Sequence, residues 1–144
     1  MRFGILAMAL AVGLAAPVLA GDTPSNPDAR VYITNLSDGD TVSGPVTVRF
    51  GLVGMGIAPA GVEWDNTGHH HLIVDRAPYG AEAGDNMDDP IPGDENHRHF
   101  GGGQTETTLD LPAGTHTLQL VLGDAFHVPH DPPIMSEVIT ITVD

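Results

Sequence analysis

The chain has no cysteine, no lysine and few aromatic residues, which make up 5 % of it. Without a thiol, disulfides, iron–sulfur clusters, cysteine nucleophiles and blue-copper sites with a cysteine ligand are all excluded. Stability must then come from an apolar core and, where one binds, an ion. Five arginines face nineteen Asp and Glu residues, for a formal net charge of −14. Such a surface repels phosphate backbones and anionic lipid and gathers cations, so nucleic acid is excluded as a partner. Beyond residue 20 no apolar run approaches the roughly 20 residues that a membrane helix needs.

The first twenty residues read as an address. Arg2 precedes the apolar run from Ile5 to Leu14, and Pro17-Val18-Leu19-Ala20 sets a small residue before Gly21, the pattern of a secretory signal peptide. Residues 1–20 are therefore expected to be removed, with no membrane insertion after signal cleavage and a periplasmic or secreted destination. Residues 21–29 read as a linker. Residues 30–144 suit a single domain with one core.

Period-two alternation dominates that domain, and helical periodicity is almost absent. Strands are expected at Val31–Asn35, Pro45–Leu52, His69–Asp75, Thr105–Leu111, Thr115–Leu122 and Glu137–Val143. In the second of these, Val46, Val48, Phe50 and Leu52 share one face while Thr47, Arg49 and Gly51 take the other. Half-apolar strands separated by Gly/Pro-rich turns must cover one another, so the fold class is all-β, a single immunoglobulin-like β-sandwich. The short connection Leu111-Pro112-Ala113-Gly114-Thr115 predicts that Thr105–Leu122 is a hairpin. Arg76–Gln104, dense in Pro, Gly, Asp and Asn, has no convincing strand. So long a loop suggests a binding segment, ordered against the sheet by an ion.

Histidine is what the sequence has in excess. Seven of the eight fall in Gly68-His69-His70-His71, His97-Arg98-His99 and His127-Val128-Pro129-His130. Neutral imidazole is the commonest protein ligand for zinc, copper and nickel, so such clustering without thiolate points to a nitrogen-rich metal site. On a strand, His69 and His71 project to one face about 6.6 to 6.8 Å apart, and His97 and His99 repeat the spacing. Together they make the leading ligand set, with His127 and His130 as two further candidates and a copper or zinc ion as the cofactor. His70 points the other way, with Leu72 and Val74, and is expected to be core-facing and held by a backbone hydrogen bond. Asp75, on the face of His69 and His71, is a candidate to steady them. His116 shares a face with Leu118 and Leu120 and reads as a structural histidine.

Other signals are weaker. Met55, Met87 and Met135 lack a diagnostic copper spacing. Asp85, Asp88, Asp89, Asp94 and Glu95 do not follow the order of a calcium-binding loop, and Gly101-Gly102-Gly103 is not followed by the Lys-Ser/Thr of a phosphate loop. A catalytic metal would need a vacant ligand position and a base such as Glu95 or Glu106. Nothing in the sequence supplies a reaction.

The strings TGHHHL (Thr67 to Leu72), DENHRHFGGGQTE (Asp94 to Glu106) and HTLQLVLGDAFHVPHDPPIMSE (His116 to Glu137) resemble those of an exported bacterial family known as a domain of unknown function. The resemblance spans roughly residues 45 to 143. It implies that His69, His70, His71, His97, His99, His127 and His130 belong to the family pattern, and it implies no activity. A looser similarity, to copper-zinc superoxide dismutase, rests on His-x-His in a secreted sandwich. The chain lacks that enzyme's cysteine pair and further histidine motifs, which argues against dismutase activity. The sequence thus predicts an exported, histidine-rich module that binds a transition metal, copper ahead of zinc. The alternatives are a non-enzymatic cell-envelope interaction module with a structural histidine cluster, and a metal-dependent enzyme.

Overall fold

The computed structural model describes residues 21–144, so the signal peptide expected at residues 1–20 lies outside the described residues. Among the described residues nine strands follow in order: β1 (Arg30–Ile33), β2 (Thr41–Val42), β3 (Val46–Val53), β4 (Gly56–Ile57), β5 (Thr67–Val74), β6 (His97–His99), β7 (Glu106–Leu109), β8 (Gly114–Gly123) and β9 (Ile139–Val143). No helix occurs among the described residues. One sheet has the order β1-β3-β7 and the other β2-β9-β8-β5-β4, with β6 paired to β5. The all-β, sandwich-like architecture follows from the alternation. Val31, Val46, Val48, Phe50 and Leu109 of the smaller sheet meet Leu72, Val74, Leu118, Leu120, Leu122, Ile141 and Val143 of the larger in one buried cluster.

The expected hairpin over Thr105–Leu122 does not form. β7 pairs antiparallel with β3, whereas β8 pairs with β5 and β9, so the short link between β7 and β8 passes from one sheet to the other. Alternation marks Leu109 and Leu118 equally as core-facing. It does not say from which side of the core each points.

The larger sheet is covered on both faces. Opposite the main core, Ile73 of β5 and Val121 of β8 pack with Tyr79 and Ile91, flanked by Met87 and Met135. Of these covering residues, Tyr79, Met87 and Ile91 belong to the long segment Arg76–Gln104. It is pinned by Tyr79 N–H donating to Gln119 Oε1 at 2.8 Å and by Ile91 N–H donating to the His127 carbonyl at 2.9 Å. Within it, Asp85 Oδ2 accepts from the N–H groups of Gly80 and Glu82. Apolar contact and hydrogen bonds hold the middle of this segment, and its end forms β6, a strand that composition concealed. The segment 21–29, read as a linker, also runs along the domain: Pro24 bridges Asp131, and Asp131 N–H donates to the Thr23 carbonyl.

His116 is the structural histidine expected. Its Nδ1 lies 2.8 Å from Asp75 Oδ2 and its Nε2 2.9 Å from the Pro112 carbonyl. Asp75 is therefore not a partner of His69 and His71. With φ at +56° it leaves the strand geometry that placed it on their face. The Asp75 hydrogen bond, then the Pro112 carbonyl, raise the His116 pKa above 6.5. A raised folded-state pKa contributes stability that is fully present below the unfolded value and is lost as pH rises through the folded value. His116→Gln should therefore cost more stability at pH 5.5 than at pH 8.5, as read by urea unfolding of both proteins at the two pH values; an equal cost at both would refute the ionic pairing.

Candidate metal centre

The sheet register assembles the centre. β5 sends His69, His71 and Ile73 to the outer face, opposite Gly123, Val121 and Gln119 of β8. On its other edge β6 sets His99 beside His71 and His97 beside Ile73. The two His-x-His pairs share a face as expected, but antiparallel pairing slides them past each other. Only His99 reaches the His69/His71 end. His97 lands over the apolar cover, its ring 6.3 Å from that of Tyr79 and its Nδ1 2.9 Å from Asp94 Oδ1.

The fourth ring comes from the loop after β8. His127 has φ of +70°, a conformation that few non-glycine residues adopt. The loop is held by Asp124, whose Oδ1 accepts the N–H groups of Phe126 and Val128 at 2.8 and 3.0 Å, while Thr23 donates its hydroxyl to Oδ2 at 2.7 Å. The N–H of His127 donates to the Asp124 carbonyl. His130, the other candidate of that loop, is buried and lies with Nε2 3.1 Å from the Thr67 carbonyl. It ties the loop to β5 and points away from the other rings.

His69, His71, His99 and His127 each offer a donor atom, and these atoms lie within 4.8 Å of one another. His69 Nε2 is 3.1 Å from His71 Nε2 and 3.0 Å from His127 Nδ1. Ring centroids of His99 lie 5.0 Å from His69, 5.1 Å from His71 and 4.6 Å from His127. A neutral imidazole nitrogen carries either one proton or one lone pair, so His69 Nε2 can complete a good hydrogen bond with only one of its two neighbours. A cation accepts a lone pair from every ring at once. His69 and His71 are fully buried, while His99 is exposed and His127 intermediate, so the cluster opens to solvent on the His99 side.

Burial keeps the inner rings uncharged. It pushes the His71 pKa down to about 2 and that of His69 to about 4, with the neighbouring imidazoles adding to the effect and Asp124 opposing it at His69. His99 is lowered for the same reasons. Neutral rings hold the lone pairs that a metal needs. Two glycines give the rings room. A β-carbon at Gly123 would stand 2.9 Å from His71 Nε2, and one at Gly101 would stand 2.4 Å from His99 Nε2.

Sequence reading placed Gly101 beside His99 but missed Asp124 and Gly123. The one available signal was Gly-Asp at the start of a short loop, since aspartate often accepts from the backbone N–H two residues on. The two carboxylates considered as catalytic bases stand outside the four-histidine group: Glu106 pairs with Arg49 on the smaller sheet at 3.3 Å, and Glu95 lies on the exposed part of the long segment.

His70 departs from expectation too. It faces the core as expected, with its ring 5.0 Å from that of Phe50, yet neither ring nitrogen has a hydrogen-bond partner among the described residues. Desolvation lowers its pKa to about 4, and the Gln104 backbone opposes this without reaching hydrogen-bond geometry.

Residues 48–144 match the model of the family described as Domain of unknown function (DUF4399), and the chain belongs to that family. No curated protein and no solved structure matches the chain.

A buried polar group without a partner costs about 1–3 kcal/mol, whereas an apolar group of similar size costs nothing of the kind. Replacement His70→Leu should therefore stabilise the metal-free protein by about 1 kcal/mol, raising its thermal midpoint by a few degrees. A lowered midpoint in differential scanning calorimetry would mean that this ring is satisfied.

Proposed function

We propose, for this member of a family without an assigned activity, that it is an exported module that binds a transition-metal ion through His69, His71, His99 and His127. The observation that carries the reading is the convergence of ring nitrogens on His69 Nε2, at 3.0 and 3.1 Å, in a geometry that hydrogen bonds alone satisfy poorly. Burial supports it, because a ring that stays neutral offers its lone pair without competition from a proton. His97 and His130 are not part of the proposed ligand set, since each is engaged elsewhere.

Copper stands ahead of zinc on the general order of divalent affinities, in which nitrogen donors hold Cu²⁺ more tightly than Zn²⁺. The signal-like first twenty residues support a periplasmic or secreted setting, where a thiol-free, imidazole-only site is insensitive to oxidation of its ligands. The exposed edge at His99 suits an ion that is taken up and released, which favours metal handling over a permanently enclosed structural ion.

Titration of the tag-free protein with Cu²⁺ and Zn²⁺ tests this. We expect one ion per chain, bound at micromolar concentration or tighter, copper the more tightly, with His71→Ala and His99→Ala each weakening binding by at least about a hundredfold. His99 is exposed, so its replacement leaves folding intact and separates lost ligation from lost structure. His97→Asn and His130→Asn serve as comparisons, expected to change affinity by less than about threefold. Failure of both ions to bind, or equal losses in all four variants, would end the proposal.

A further inference from the structure

Among the described residues, the large apolar side chains that stand exposed are Tyr32, Val53, Trp64 and Phe126. They are not scattered. Tyr32 and Val53 line one concavity, and Trp64 and Phe126 line another, of about 520 Å³. The two differ in charge. The first has both Arg30 and Glu137 in its walls, whereas the second has Asp22, Glu63, Asp65 and Asp124 and, among the described residues, no basic side chain.

We propose that the second concavity, between the Asp22–Pro24 segment, the Val62–Thr67 connection and the Asp124–Phe126 turn, is a docking groove for a basic, partly apolar segment of another polypeptide. Three observations point to that occupant. Trp64, the only tryptophan of the chain, is 68 % exposed and Phe126 is 47 % exposed; both are aromatic surfaces that bind cations on their faces and aliphatic stems along their edges. Asp22, Glu63 and Asp65 are exposed, share the groove with no basic side chain among the described residues, and are complementary to lysine or arginine heads. The groove is also walled by three separate segments, which suits a chain laid across it better than a small ammonium ion that must be enclosed to lose its water.

The location gives the groove a purpose beside the histidines. Its Asp124–Phe126 wall is the turn that leads into His127, and Thr67 stands two residues before His69. A segment seated there lies against the loop that places the fourth ring. The groove stands on its own residues, however, and its occupancy is readable with or without metal.

Trp64 is its own reporter. The purified protein, at physiological ionic strength, is titrated with the capped peptide acetyl-Lys-Leu-Lys-Leu-Lys-Leu-amide while tryptophan emission is followed. A saturable blue shift is expected with a midpoint below about 100 µM, with none for the Glu-for-Lys peptide. Asp22→Asn, Glu63→Gln and Asp65→Asn combined should raise the midpoint at least about tenfold. The combination Glu95→Gln, Asp110→Asn and Asp144→Asn removes the same charge from exposed positions outside the groove and should raise it less than about twofold. Both triple variants alter exposed side chains only, so their far-ultraviolet dichroism should match the parent. Equal weakening by the two triples would reduce the effect to net charge and overturn the proposal. The absence of any shift at millimolar peptide, or an equal shift with spermidine, would overturn it as well.

Discussion

Everything at the candidate centre depends on the β5–β8 pair being covered on both of its faces. A strand buried on one side alone would leave His69, His71 and Val121 in water, where an imidazole titrates near neutrality and a flexible ring holds no fixed direction. Here the main core closes one face and the Tyr79–Ile91 cover closes the other over Ile73 and Val121. β5 is consequently buried along nearly its whole length, and the two inner imidazoles are desolvated by the same packing that stabilises the sheet.

That burial has opposite meanings on the two faces. On the outer face it holds His69 and His71 neutral with their Nε2 atoms directed at other ring nitrogens, an arrangement that favours a shared cation. On the inner face it encloses His70 against Phe50 with no hydrogen-bond partner among the described residues. His116, at the other end of the larger sheet, is satisfied by a carboxylate and a carbonyl and is shifted upward instead. Three histidine environments thus arise within one sheet, and charge neighbours and solvent decide among them.

Much of the fold was legible in the alternation of residues such as Val46, Val48 and Phe50, because a strand that must bury one face has to place apolar side chains every second position. β6 was not, since His97-Arg98-His99 has no apolar residue at all and is a strand only because β5 offers it an unpaired edge. The partnering of β7 and β8 was hidden for a related reason: both carry the same kind of apolar face, and the choice of sheet is made by long-range packing. The site was legible in part. His69, His71 and His99 were identifiable from local spacing, but preference for His97 over His127 rested on treating two His-x-His pairs as aligned.

Residue types and their local spacing determined the chemistry: imidazole without thiolate, an acidic surface, and rings at i and i+2 that share a face. Those properties are carried by the chain within a few residues and need no partner strand. Tertiary structure alone decided which rings meet. Antiparallel register sets His99, and not His97, beside His71, and a loop folded around the Asp124 carboxylate swings His127 into the place that spacing had assigned to another residue. Register and loop closure are set by the packing of segments far apart in the chain, and the distance between two nitrogens is a consequence of that packing.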